Sequence, residues 1–219
     1  MNAKKLSFLL LILVAVACTN RSTSSEQDEM RHWNNVLQQI NALLLENKAR
    51  QTLDLAKQTL PEILESAEKN GTTDTLIYYA RKIFNACGNN YINTKQYKDG
   101  IDYMDSIGNH PLIREHCPHE LLSFKAGLNQ LYGNNPEAVR LAEDYLQLPV
   151  CTSANDFIRQ AEIISGVYMY SGNNLPKAIQ ILEKAIDVYR KGGNFPNMLR
   201  IMSRLGIYYH LSGEYEKAI

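Results

Sequence analysis

The sequence predicts an all-α fold, an α-α superhelix or solenoid of stacked helical hairpins, and three observations carry that expectation. Within 120–219 the residues repeat at a spacing of 40: Ala138, Ala178 and Ala218 recur, as do Ala126, Gly166 and Gly206 twelve positions before them. From residue 30 onward apolar side chains return every three or four positions, the period of a helix with one buried face. Turn signals such as Asn70-Gly71, Gly133, Gly172 and Gly213 cut that pattern into short pieces. A pair of short amphipathic helices buries its apolar faces only by stacking on a neighbour, so repeated pairs imply a stack.

The chain opens with the positive stretch Met1-Asn2-Ala3-Lys4-Lys5 and an apolar run from Leu6 to Ala17. That run is shorter than the roughly 20 residues a comfortable membrane-spanning helix needs, so 1–17 reads as a targeting signal. Ala15-Val16-Ala17-Cys18 resembles the lipobox of bacterial lipoproteins, although Leu is the commoner residue at the place of Ala15. The resemblance implies that Cys18 is acylated, with palmitate-type chains, and becomes the mature first residue. Several acyl chains anchor a soluble domain where one would give only marginal binding. The alternatives are plain secretion and an uncleaved signal anchor. The polar segment 18–29 reads as a flexible tether.

Losing Lys4 and Lys5 takes the formal charge from zero to about −2, which makes no electrostatic case for nucleic acid in this portion or for an anionic membrane surface. Three cysteines remain after Cys18, namely Cys87, Cys117 and Cys151, so a monomer holds at most one disulfide and the chain is no disulfide scaffold. Cys117 and Cys151 flank one hairpin on the same side and are the pair to test for a bridge.

Residues 30–117 read as diverged hairpins. Trp33, Val36, Leu37, Ile40, Leu43 and Leu44 mark a first helix over 30–46; Ala49, Leu53, Ala56 and Leu60 mark a second, with Pro61 kinking it or opening a further turn over 61–69. A long helix over 75–91 and a shorter one over 96–106 follow, with Gly88 and Gly100 again twelve apart. Residues 107–116 break the pattern, with one short turn expected around Leu112-Ile113-Arg114. From 118 the expected helices are 119–132, 136–147, 155–171, 176–191, 197–211 and 215 onward. Asn135-Pro136-Glu137 supplies a cap residue, a proline harmless at the first helical position and an acid beside the positive helix end. Pro176 repeats the device forty residues later. A helix begun at 215 and cut within its first turn would leave its partner's apolar face open, so the sequence reads as a portion of a longer chain.

These features resemble the tetratricopeptide repeat (TPR), a helical hairpin with small residues where its helices cross. Ser165-Gly166 and Leu205-Gly206 match the Leu-Gly pair of the family's first helix, with Lys125-Ala126 a looser counterpart. Gly213-Glu214-Tyr215-Glu216-Lys217-Ala218-Ile219 matches its turn and second-helix start, and the segments around Ala138 and Ala178 match in part. Small residues there let two backbones approach. The period exceeds the family's usual 34, Arg190 stands where a closing Pro is expected, and Leu122, Glu162 and Met202 replace the large first-helix aromatic. A lipobox before such repeats also resembles the periplasmic sensor regions of Bacteroidetes signalling proteins.

The TPR register implies a concave wall made of first-helix residues. Transferred here it gives Glu120, Ser123, Gly127 and Gln130, then Gln160, Ile163, Val167 and Tyr170, then Arg200, Ser203, Ile207 and His210. Among these, Gln130, Tyr170, Arg200, Ser203 and His210 are the candidate partner-binding residues. The bland alternative is a solvated inner face, since many of the 13 tyrosines must serve the core. His110, His116, Cys117 and His119 form the one cluster of metal-type donors, but their spacing meets no zinc pattern, so no metal site is expected. No His-Glu-x-x-His, phosphate-cradling Gly-rich loop or Gly-x-Ser-x-Gly occurs, and neither catalysis nor a cofactor is expected. The expected function is noncovalent protein or peptide binding by a lipid-anchored scaffold in the bacterial envelope, facing periplasm or cell surface. The alternatives are the ligand-sensing N-terminal half of a membrane signalling or transcription-regulating protein, and a structural envelope assembly factor.

Overall fold

The computed structural model describes residues 24–149, 154–192 and 195–218. Among these residues the chain forms ten α-helices and a closing 3-10 turn. In order they are α1 (Ser24–Leu45), α2 (Ala49–Asn70), α3 (Asp74–Asn93), α4 (Tyr97–Gly108), α5 (Pro111–His116), α6 (Pro118–Tyr132), α7 (Asn135–Gln147), α8 (Ala154–Tyr170), α9 (Leu175–Gly192) and α10 (Phe195–Ser212), then the turn Tyr215–Lys217. Each helix packs on its sequence neighbours, and α1 also packs on α3, α3 and α4 on α6, α6 on α8 and α8 on α10, which makes an all-α solenoid of stacked hairpins. Cys18, the signal 1–17 and Cys151 lie outside the described residues, and with them the anchor and the proposed bridge. No described helix is long and apolar enough to cross a membrane.

Local chemistry sets the helix ends. The Thr73 hydroxyl accepts the Leu76 N–H at 3.2 Å and starts α3, while Pro111, Pro118 and Pro136 open α5, α6 and α7, where a missing N–H costs nothing. Gly133 stops α6 at φ 96°, in the left-handed region, and the Asn134 N–H then reaches back to the Asn129 carbonyl at 2.9 Å. After α8 that conformation falls to Asn173, at φ 42°, rather than to its neighbour Gly172.

Three elements differ from the sequence expectation. α1 opens at Ser24 rather than near residue 30. It takes in residues 24–29 of the stretch assigned to the tether. α2 runs unbroken through Pro61, which is exposed and so has no neighbour to displace. The break at 107–116 is largely helical: α4 extends to Gly108, and α5 follows with the Leu112 N–H donating to His110 Nδ1 at 3.2 Å. Leu112 and Ile113 fill the interior, so this connector is part of the core.

Two apolar cores share α6 as a wall. The first runs from Trp33, Val36 and Ile40 through α2, α3 and α5 to Phe124 and Leu128; the second runs from Ala126 through α7, α8 and α9 to Tyr208 and Tyr209. In the first half α3 packs more extensively on α2 than on α4. Gly88, expected at a hairpin crossing, instead faces the next first helix: a Cβ there would lie 2.4 Å from the Phe124 ring. Gly100 likewise sits against Tyr91 of α3 and Leu128 of α6. In the second half the hairpins α6–α7 and α8–α9 are closely paired, and α6 packs on α8 through Gly127 and Ile163.

Candidate functional site

The candidate wall is built by α6, α8 and α10, the first helices of three successive hairpins. A register spacing of 40 places Gln130, Tyr170 and His210 at equivalent points near the C-terminal ends of these helices. Gln130 is half-buried, Tyr170 is 68% exposed and His210 is exposed. The Tyr170 side chain therefore presents most of a ring to solvent, and His210 stacks edge-on against Tyr215 at 5.2 Å. Arg200 and Ser203 are exposed on the outer turns of α10. The Arg200 guanidinium pairs with Glu162 of α8 at 2.7 Å, and Arg204 donates to the Glu162 carbonyl at 3.0 Å. These contacts fix the spacing of the two helices. The Ser203 hydroxyl donates to the Leu199 carbonyl and leaves its lone pairs outward.

Five of the twelve wall positions do not reach an open surface. Glu120, Ser123, Gly127, Gln160 and Val167 are buried, and Ile163 is half-buried. The same helix face that would line a groove is used here to pack one first helix on the next. Gly127 has room for no side chain, because a Cβ would lie 2.7 Å from Ile163 Cγ2. Gln160 Oε1 accepts from the Tyr145 hydroxyl at 3.1 Å, joining α8 to α7. Glu120, at 2% exposure, meets Arg81 of α3 at 3.3 Å, and Arg81 also donates to the His116 carbonyl at 2.6 Å. A buried carboxylate held by a half-buried guanidinium is a packing device, and removing one partner would strand the other charge.

The sequence reading missed a run of apolar side chains beside the wall. Leu199, Met202, Ile207, Leu211 and Tyr215 are all more than 40% exposed. With Ser203, Gly206 and His210, most of them line a groove of about 800 Å³ along α10. The helical period of α10 carried the signal, since its apolar residues extend round more of the helix than one neighbour covers. Tyr209, behind the groove, donates to Glu183, and burial together with that carboxylate pushes its hydroxyl up to about 12.

The residues with metal-type donors go to separate partners. His110 caps α5 and pairs with Glu68 at 3.2 Å; a His119 ring nitrogen meets the Pro149 carbonyl at 2.6 Å; Cys117 is buried. Among the described residues no three such side chains converge. Cys87 is buried as well, and desolvation pushes its thiol up to about 12 against the weaker pull of the Tyr103 hydroxyl and the Lys57 ammonium.

Neither a protein-family model nor a curated protein sequence matches this chain. Its likeness is to solved helical-repeat structures. A protein of Podosopora anserina, described as a candidate kinesin light chain with nearly identical TPR-like repeats, superposes with a TM-score of 0.53 at 12% identity, covering 86% of this chain and 90% of that one. A variant of the same protein gives 0.54 at the same identity and coverage. MamA residues 41 to the end from Desulfovibrio magneticus RS-1 give 0.47 at 14% identity, over 87% of this chain and 89% of that one. At such identity the likeness is one of fold, a stack of TPR-like helical hairpins.

Proposed function

We propose that this protein is a noncovalent scaffold, held to a bacterial envelope membrane through acylated Cys18, which binds a protein or peptide along α6, α8 and α10. One observation carries the reading. Three successive first helices present Gln130, Tyr170 and His210 at one register, while the side chains beneath them are locked in helix packing. A row of that kind is ordered before any partner arrives, so little freedom is lost on docking. Tyr170 supplies a large exposed ring of the type that dominates interface energies, and Arg200 and Ser203 are exposed polar groups on α10, with Arg200 level with Glu162 of α8. The likeness to TPR-like stacks supports the fold on which such binding rests. The lipobox resemblance at Ala15-Val16-Ala17-Cys18 supports the anchor.

Two readouts test the halves separately. Metabolic labelling with a palmitate analogue should mark the full chain and be lost in Cys18→Ser, with the protein moving from membrane to soluble fractions; labelling that persists in Cys18→Ser refutes the anchor. Envelope proteins retained by the immobilised domain should fall at least tenfold with Tyr170→Ala plus His210→Ala, because two anchors of about 1–2 kcal/mol each are removed. Unchanged retention refutes the wall.

A further inference from the structure

Where α1, the last turn of α2 and the start of α3 meet, the first end of the stack holds a cavity of about 180 Å³. Trp33 of α1 and Leu76 of α3, both buried, supply its apolar lining, and Glu29, Ser66 and Asn70 supply much of its polar lining. The indole is fixed. It packs against the Tyr79 ring at 5.8 Å between centroids, and the Tyr79 hydroxyl donates to the Met30 carbonyl at 3.4 Å.

Hydrogen bonds along the polar side run one way. Asn70 Nδ2 donates to Ser66 Oγ at 3.3 Å, and the Ser66 hydroxyl donates to Glu29 Oε2 at 3.0 Å. The Ser66 proton is thereby committed, and the carboxylate and the Asn70 side-chain carbonyl keep lone pairs for a donor. Charge points the same way. On α1 and α2, Arg31 pairs with Asp28 at 3.6 Å, His32 meets Glu62 at 3.3 Å and Lys69 pairs with Glu65 at 2.6 Å, whereas among the described residues no such pair includes Glu29. Lys69 feels the Glu29 charge, but its hydrogen bond goes to Glu65. A carboxylate beside a fixed indole, with no cation of its own fold on it, favours a cation through charge and through the electron-rich ring. Volume sets the size, since a cavity of about 150 Å³ holds benzene and this one therefore takes about six to eight non-hydrogen atoms.

We propose that this cavity binds a compact primary amine in its ammonium form, the charged head on Glu29 and the hydrocarbon body on Trp33 and Leu76. The ligand bridges α1 to the turn between α2 and α3. Because α1 packs less extensively on α2 than α3 does, occupancy stabilises the first end of the stack.

Trp33 is the only tryptophan in the chain, so its emission reports on this cavity. Titration of the full chain with pentylamine at about pH 7, where an alkylammonium keeps its proton, should change that emission saturably. Half the change is expected at about 1 mM or below. Pentanol has the same shape without the charge and should bind at least about tenfold more weakly. Glu29→Gln keeps an acceptor for Ser66 and should weaken the amine by a similar factor, while Asp28→Asn, an exposed neighbour, should leave it unchanged. The amine should also raise the Tm of the parent and not that of Glu29→Gln. No saturable change below about 10 mM overturns the proposal, as does equal binding of pentanol or undiminished binding by Glu29→Gln. Should Glu29→Gln melt lower than the parent without ligand, the comparison of amine with alcohol on the parent decides alone.

Discussion

Replacing Gly88 by Ala sets two effects of opposite sign against each other. In the interior of α3 an alanine favours the helix over glycine by about 1 kcal/mol. Against this, the new β-carbon would lie 2.4 Å from Cγ and Cδ2 of Phe124, where carbon atoms settle at about 3.5–4.0 Å. The ring would have to retreat by roughly 1 Å in an interior packed like an organic crystal. It has nowhere to go: Phe124 is 1% exposed and stands edge-on to Phe84 at 6.1 Å. Overpacking costs about 1–3 kcal/mol and occasionally more, and a trapped ring puts Gly88 at the upper end. We expect Gly88→Ala to destabilise by about 2 kcal/mol, a fall in Tm of roughly 4–8 °C. Gly166→Ala is the control of opposite sign. Its Cβ would meet only Gln130 Oε1, at 3.8 Å, so the helix preference acts alone and the variant should gain up to about 1 kcal/mol. Thermal and urea melts followed by far-ultraviolet circular dichroism measure both. In a double-mutant cycle Phe124→Leu should relieve most of the Gly88→Ala penalty. Gly88→Ala as stable as the parent, or a penalty indifferent to Phe124→Leu, would refute the packing of α3 on α6 described above.

Other outcomes follow from the same contacts. Lys177 donates to Glu143 at 2.5 Å, tying α9 to α7, and this hydrogen bond holds the Glu143 carboxyl below the usual range. That contribution is present above the unfolded carboxylate pKa of about 4.3 and is lost as pH falls through the lower folded value. Acid melts should therefore show Glu143→Gln losing less stability between about pH 6 and pH 3 than the parent. Cys87 and Cys117 are both buried, so iodoacetamide at about pH 8 should leave them unmodified in the folded protein and alkylate them fully in denaturant, as read by peptide mass spectrometry. Arg140 makes two 2.7 Å contacts to Glu137 and one to Asp144, yet all three lie on the exposed side of α7. Arg140→Ala should cost no more than about 0.5 kcal/mol in a urea melt, and a loss of about 2 kcal/mol would show that the pair is not screened.

Much of the architecture was legible because the stack reports itself twice, in helical periodicity and in the spacing of 40. The starts at Asn135 and Leu175 and the stop at Gly133 were all readable from cap and proline chemistry. Partners were harder to read than elements. Gly88 and Gly100 stand twelve apart like the later crossing residues, but sequence spacing says only that a close contact is needed, not which helix makes it. Phe124 decides that, from another hairpin. The same limit applies to the wall. Glu120 and Gln160 are polar residues at register positions expected to face a ligand, and both are buried because Arg81 and Tyr145 satisfy them from neighbouring helices. Polarity alone marks a residue as open to solvent only where no partner exists in the fold. Tyr170 and His210 are both exposed, His210 with the Tyr215 ring edge-on against it.

Photo-crosslinking in cells tests the central claim most directly. Benzoylphenylalanine placed at Tyr170 on α8, or at Arg140 on the outer side of α7, reports what each face touches in the envelope. A discrete adduct from position 170, lost with His210→Ala and absent from position 140, is the predicted result. Adducts of equal yield and identity from both positions, or none from position 170, would contradict recognition along α6, α8 and α10.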